Sequence, residues 1–227
     1  MLMRILETNA RHRRHGESGF SLIEMMSVVA ISMIVAAVAV FGMMPAVKQQ
    51  HVTNAYNTTL SAMRQARDNA VSQRTSYSVT FYTSATLNTI TVAPTLTGVS
   101  AFQGDQTSVV YNLPTNVSFV VPPSGTPAPD SGAAGANFGS GTNAIDFGFT
   151  ATSSAGGATV LYFCPDGSAQ TSSVCSGAGN WDDGVVYLGI PGNILSERAV
   201  DLWGGTGRVR GWRLYPNTSG GYQWIRQ

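Results

Sequence analysis

Between Met25 and Val47 the chain carries no charged residue, and this run limits the fold more than any other stretch. As a helix, about 23 residues at about 1.5 Å each would reach about 35 Å, enough to cross the hydrocarbon of a bilayer. At its mouth stands Glu24. An ionisable side chain at membrane depth is costly, so such a residue marks a functional position with a specific partner. The run is apolar all round and rich in methionine (Met25, Met26, Met33, Met43, Met44) and small residues, which suits packing among other helices. Gly42 and Pro45 weaken it. Proline removes one backbone hydrogen bond and clashes with the preceding turn, so a kink or local melting is expected over residues 41–45.

Arg4, Arg11, Arg13 and Arg14, against Glu7 and Glu17, make the stretch before the run basic, and only Lys48 follows soon after it. The positive-inside rule then places the amino terminus in the cytoplasm and the remainder across the membrane. Past Pro45 the pattern turns one-sided, with Val52, Tyr56, Leu60, Met63, Arg67 and Ala70 stepping by three or four, so an amphipathic helix is expected to about Gln73. Arg64, Arg67 and Arg74 read as its solvated side. From Ser76 the period becomes strand-like, with runs near 77–83, 89–92, 108–113, 117–121, 144–149, 159–163, 184–189, 199–203, 208–214 and 222–225. Residues 122–143 and 164–183 read as long surface loops, where partners usually bind. The expected fold class is therefore α+β: a long amino-terminal helix packed on a mostly antiparallel, β-rich head of ordinary domain size.

Catalytic chemistry is hard to build from this head. His12 and His15 fall in the basic stretch, while His51 and the single lysine, Lys48, lie beside the apolar run. General-base and amine-nucleophile chemistry would rest on carboxylates alone, so the chain is not read as an enzyme. Asp166, Asp182 and Asp183 read first as turn formers, with a calcium site as the sharper alternative, although their spacing is not that of an EF-hand loop. Cys164 and Cys175 sit in a Gly/Ser-rich stretch of the exported part, where an oxidising compartment favours a loop-closing disulfide. Their spacing fits neither a redox CxxC motif nor a zinc site.

Residues 204–227 hold Arg208, Arg210, Arg213 and Arg226 with no acidic side chain, interleaved with Trp212, Tyr222 and Trp224. Arginines among aromatics can hold phosphates and stack bases, which makes DNA a candidate partner. Strand alternation would put Arg208 and Arg210 on one face and Arg213 on the other, unless Gly211 marks a bulge. The plainer reading is an edge strand whose arginines pair with Asp201 or Glu197.

The segment Gly19-Phe20-Ser21-Leu22-Ile23-Glu24, following the basic stretch and opening the apolar run, resembles the type IV prepilin leader. The resemblance implies that prepilin peptidase cuts after Gly19, methylates the new amino terminus at Phe20 and leaves Glu24 as the fifth mature residue, an assembly element. It divides the chain into a leader (1–19), a transmembrane and assembly helix (20–47), an amphipathic continuation (48–75) and an exported head (76–227). Its implied partners are prepilin peptidase, other pilin or pseudopilin subunits through the helix, and the inner membrane before filament assembly. The alternative is an ordinary signal peptide cut after Ala37-Val38-Ala39, giving a secreted β-protein, and it leaves Glu24 unexplained.

Farther on, Gly184-Val185-Val186-Tyr187-Leu188, Arg198-Ala199-Val200-Asp201-Leu202 and Gly207-Arg208-Val209-Arg210-Gly211-Trp212-Arg213 look like the carboxy-terminal end of the GspH/FimT family of minor pseudopilins and minor pilins. That resemblance implies a minor subunit of a type II secretion pseudopilus or a type IV pilus, acting in initiation or at the tip. Some family members bind DNA through arginines in this region, which makes Arg208, Arg210 and Arg213 nucleic-acid candidates, and some pseudopilins bind calcium. Residues 84–183 carry no such signature.

Overall fold

A computed structural model describes residues 19–84, 87–95, 108–130, 138, 142–147, 150–152, 157–175 and 181–227. The basic leader over 1–18 and parts of the two long loops lie outside the described residues. The chain divides into two compact units, one ending at Met44 and one running from Pro45 to Gln227.

A single helix, α1 (Leu22–Gln73), contributes to both units. It begins where the Ser21 carbonyl accepts the amides of Glu24 (3.0 Å) and Met25 (3.1 Å), and Glu24 in the first turn complements the positive end of the helix dipole. Pro45 lies inside the helix, and residues 41–45 are helical. The local melting expected there is not found: one missing amide and one crowded carbonyl are small losses within 52 residues of otherwise continuous helix.

In the first unit every described side chain is exposed. The most apolar window has a mean hydropathy of 2.4, and none of it is buried within the chain. A core helix of a soluble fold covers its apolar side with its own protein, and this one does not. By length and composition it is able to cross a membrane.

In the second unit α1 turns a stripe inward at Val52, Ala55, Tyr56, Thr59, Ala62, Met63, Ala66 and Ala70, the three- and four-residue spacing of one helical face. Five of these are alanine or threonine, so the backbone lies close to the strands. The inward Thr59 hydroxyl spends its donor on the Ala55 carbonyl at 2.9 Å, so no buried polar group is left over.

Two antiparallel sheets complete this unit. The first has the order β3 (Val109–Asn112), β2 (Thr89–Pro94), β1 (Tyr77–Thr83), β7 (Gly157–Phe163), β8 (Ala169–Gln170). The second has the order β12 (Tyr222–Arg226), β11 (Arg208–Pro216), β10 (Asn193–Trp203), β9 (Gly184–Ile190), β5 (Ile145–Phe147), β6 (Thr150–Thr152), with β4 (Ser118–Phe119) also paired to β9. Phe81 of the first sheet meets Phe147 of the second in a stack at 5.6 Å and Phe119 edge-on at 6.0 Å. These rings belong to one core with the α1 stripe, Val186, Leu188, Val200, Leu202 and Val209. Burying each large side chain contributes about 2 kcal/mol.

The second sheet is buried on its other face too, where Val185, Tyr187 and Ala199 pack with Val120, Trp212 and Trp224. Gly211 leaves room for the Tyr56 side chain, because a Cβ there would stand 1.6 Å from its hydroxyl oxygen. Cys164 and Cys175 form the expected disulfide, which closes the loop around β8.

Candidate functional site

The opening of the chain presents its chemistry without cover. Gly19, Phe20 and Ser21 precede the helix outside any regular element, and Phe20 is 77% exposed. Gly19 and, one turn into α1, Glu24 are exposed as well.

In the head, a groove of about 760 Å³ opens where α1 meets the turn between β10 and β11. Arg64 and Arg67 come from the helix, and Trp203, Thr206, Gly207 and Arg208 from the hairpin. Backbone carbonyls hold the two helical arginines: Arg67 Nε donates to Thr206 O at 3.1 Å, and Arg64 Nη2 to Val209 O at 3.4 Å. Asp68 is the one carboxylate among the lining residues, 3.9 Å from Arg67, and it is mostly exposed. Three guanidinium groups therefore share one concave surface with little counter-charge, an arrangement that attracts anions.

The three tail arginines singled out in the sequence do not share one face. β10 and β11 pair without a register shift past Gly211, so Arg208 and Arg210 share one face and Arg213 lies on the other. Arg208 lines the groove and lies over the Trp203 ring at 5.2 Å. Arg210 lies over the same ring at 5.7 Å, but its guanidinium is bound to the Asp130 carboxylate. The pairing expected with Asp201 or Glu197 is thus corrected: the partner comes from the long loop at 122–143, which the strand register does not reveal. Trp203 also donates to Asp130 at 3.3 Å and meets Phe138 edge-on at 5.1 Å. Arg213 stacks over Tyr215 at 5.0 Å.

Arg64 is exposed, in keeping with the solvated face read from the sequence, whereas Arg67 is partly buried against the turn. The signal was present for Arg67, which falls on the stepping pattern of Val52, Tyr56, Leu60, Met63 and Ala70 and so had to border the packed face.

Several ionisable groups are buried on the second sheet. Asp201 is fully buried, and burial pushes its carboxyl up to about 6. The indole N–H of Trp212 stands outside hydrogen-bond geometry and only partly offsets that burial. Burial likewise pushes Glu197 up to about 7 and raises the Tyr187 hydroxyl. Arg198 is lowered to about 10, first by burial and then by the charge of Arg213.

The three loop aspartates have separate duties. Asp166 accepts from the Ser168 amide (2.9 Å) and hydroxyl (2.6 Å), as a turn former should. Those bonds hold its carboxyl below the usual range. Asp182 instead accepts from the amide and hydroxyl of Thr171 (2.5 and 2.6 Å), and Asp183 from the Gly204 amide at 2.7 Å. The turn-former reading is therefore corrected for these two, which tie distant segments together. Among the described residues, no three His, Cys, Asp or Glu side chains are grouped as metal ligands would be. His51 contacts Asn116 Oδ1 through Nδ1 at 2.7 Å.

Comparison with known families matches residues 14–40 to the prokaryotic N-terminal methylation motif. No curated protein and no solved structure matches the chain.

Proposed function

We propose a specific role for this type IV prepilin-like protein, a pilin or pseudopilin precursor processed by prepilin peptidase: it is a minor subunit of the GspH/FimT kind, assembled into a type II secretion pseudopilus or a type IV pilus, in initiation or at the tip. The observation that carries this reading is the methylation motif at 14–40 running into an apolar helix that its own chain leaves uncovered. Such a helix is an inner-membrane anchor before assembly, and other subunits cover it afterwards.

Cleavage after Gly19 frees an amine at Phe20, four residues before the Glu24 carboxylate. In an apolar filament interior each charge needs a counter-charge, because an unpaired buried ion costs several kcal/mol. A neighbouring subunit staggered along the filament supplies it, so charge pairing sets the register. This reading gives the chain no catalytic step and no cofactor. The test is Glu24→Val, with processing followed by amino-terminal sequencing and incorporation by cross-linking to partner subunits. Cleavage at Phe20 should persist while cross-linking is lost; normal cross-linking of the variant would reject the mechanism.

A second reading, nucleic-acid capture, is favoured by one observation: Arg64, Arg67 and Arg208 line one groove. Trp203 is already covered by two guanidinium groups, so the groove suits phosphates better than stacked bases. The full chain in detergent should retard DNA at low salt. Arg64→Ala, Arg67→Ala and Arg208→Ala should each weaken retardation and reduce its salt dependence, and Arg210→Ala should have little effect. Absence of retardation at low salt would end this reading.

A further inference from the structure

Away from the groove, β10 and β11 set Arg198 directly opposite Arg213. Like charges at directly opposed positions of an antiparallel pair repel, and here one of them is 6% exposed. Arg198 lies on the same face as Val200 and Leu202, whereas Glu197 and Asp201, its acidic neighbours along β10, alternate to the opposite face. Tyr56 of α1 and Tyr215 of β11 are the other titratable groups acting on Arg198. Among the described residues neither arginine is ion-paired.

Arg198 uses Nη1 to donate to the Ser196 and Glu197 carbonyls, both at 3.2 Å, leaving the rest of its fork uncommitted. Arg213 keeps a buried Nε–H without an acceptor among the described residues. A buried guanidinium usually lies against a carboxylate or phosphate, because only an anion returns what desolvation removes. Two forks on opposed residues, with Cβ atoms about 5 Å apart, are close enough to grip one small anion. Access is from the Arg213 side, where that residue is only half-buried and Ile225, its partner on β12, is exposed.

We propose that Arg198 and Arg213 form a binding site for one oxyanion, a phosphate or carboxylate group, held between the two guanidinium forks and separate from the groove of Arg64, Arg67 and Arg208. The anion offsets the repulsion between the opposed charges and joins β10 to β11 beside Tyr56.

The test is thermal unfolding of the detergent-solubilised full chain at pH 7 in chloride, acetate or inorganic phosphate at equal ionic strength. At ten times the dissociation constant, phosphate or acetate should raise Tm over chloride by about 3 °C or more, and the rise should saturate. Phosphate acting only as an excluded salt gives a rise without saturation. Whichever anion saturates at the lower concentration identifies the group as phosphate or carboxylate. The rise should vanish in Arg213→Gln and persist in Arg208→Gln. Because Arg213→Gln could unfold, phosphorus NMR of inorganic phosphate with the wild-type chain gives an independent readout: line broadening reversed by excess acetate is expected. Equal Tm in all three salts, a rise that survives Arg213→Gln, or, where phosphate has raised Tm, the absence of broadening would overturn the proposal.

Discussion

Raising the pH from 5 to 8 should destabilise the head, and the cause is two carboxyls buried on one face of the second sheet. Asp201 is moved by burial from 3.8 to about 6, and Glu197 from 4.5 to about 7. Both folded-state values lie above the unfolded ones, so the folded chain holds protons that the unfolded chain has released. Their stabilising contribution is complete below about pH 4 and is lost as pH rises through 6 and then 7. Each lift corresponds to about 3 kcal/mol at about 1.4 kcal/mol per unit. Relaxation around a newly ionised buried group reduces this, so a combined loss of about 3 kcal/mol between pH 5 and 8 is expected, a large part of ordinary domain stability. Urea unfolding of the detergent-solubilised chain at pH 5, 6, 7 and 8 measures it. Asp201→Asn should flatten the lower part of the profile and Glu197→Gln the upper part, each leaving the variant more stable than wild type at pH 8. A wild-type profile that is level or rises from pH 5 to 8, or a double variant that keeps the full slope, would refute the reasoning.

Gly211→Ala should cost about 2 kcal/mol or more by forcing Tyr56 out of contact, and Tyr56→Ala in the same chain should recover part of it, as a denaturation double-mutant cycle would show. Replacing Cys164 and Cys175 together by serine should lower stability by about 2–3 kcal/mol, read from the urea midpoint without a change in slope. Asp130→Ala and Arg210→Ala should each destabilise, and the double variant should lose less than the sum, because the pair is mostly buried.

Elements with strong local patterning were legible in the sequence. The helix ends at Gln73 as its apolar stepping requires, and β1 occupies Tyr77–Thr83 as read. β6 (Thr150–Thr152) and β8 (Ala169–Gln170) were not legible, because two or three residues carry no period and their strand character comes from the partners they bond. β10 begins at Asn193, well before the expected 199, across an irregularity between Asn193 and Arg198 that breaks the alternation a strand is recognised by. The division into two sheets rests on pairings such as β1 with β7 and β5 with β9, which join segments far apart in the chain. The candidate sites divide along the same line. Gly19, Phe20 and Glu24 are adjacent in sequence and could be read directly. The groove joins a helix to a distant turn, and the Arg210 partner comes from a loop with no pattern of its own, so both required the fold.

The glycines of the second sheet determine how this sequence can drift. At Gly211 the obstructing atoms belong to the Tyr56 side chain, so a larger residue becomes acceptable once Tyr56 has been replaced by something smaller. The two positions should therefore vary together among descendants of this chain, in that order. At Gly204 a Cβ would stand 2.6 Å from the backbone nitrogen of Asp182 and 2.7 Å from its carbonyl. Main chain cannot be shortened by mutation, so no second substitution opens that route, and Gly204 should stay fixed while Gly211 and Tyr56 exchange volume.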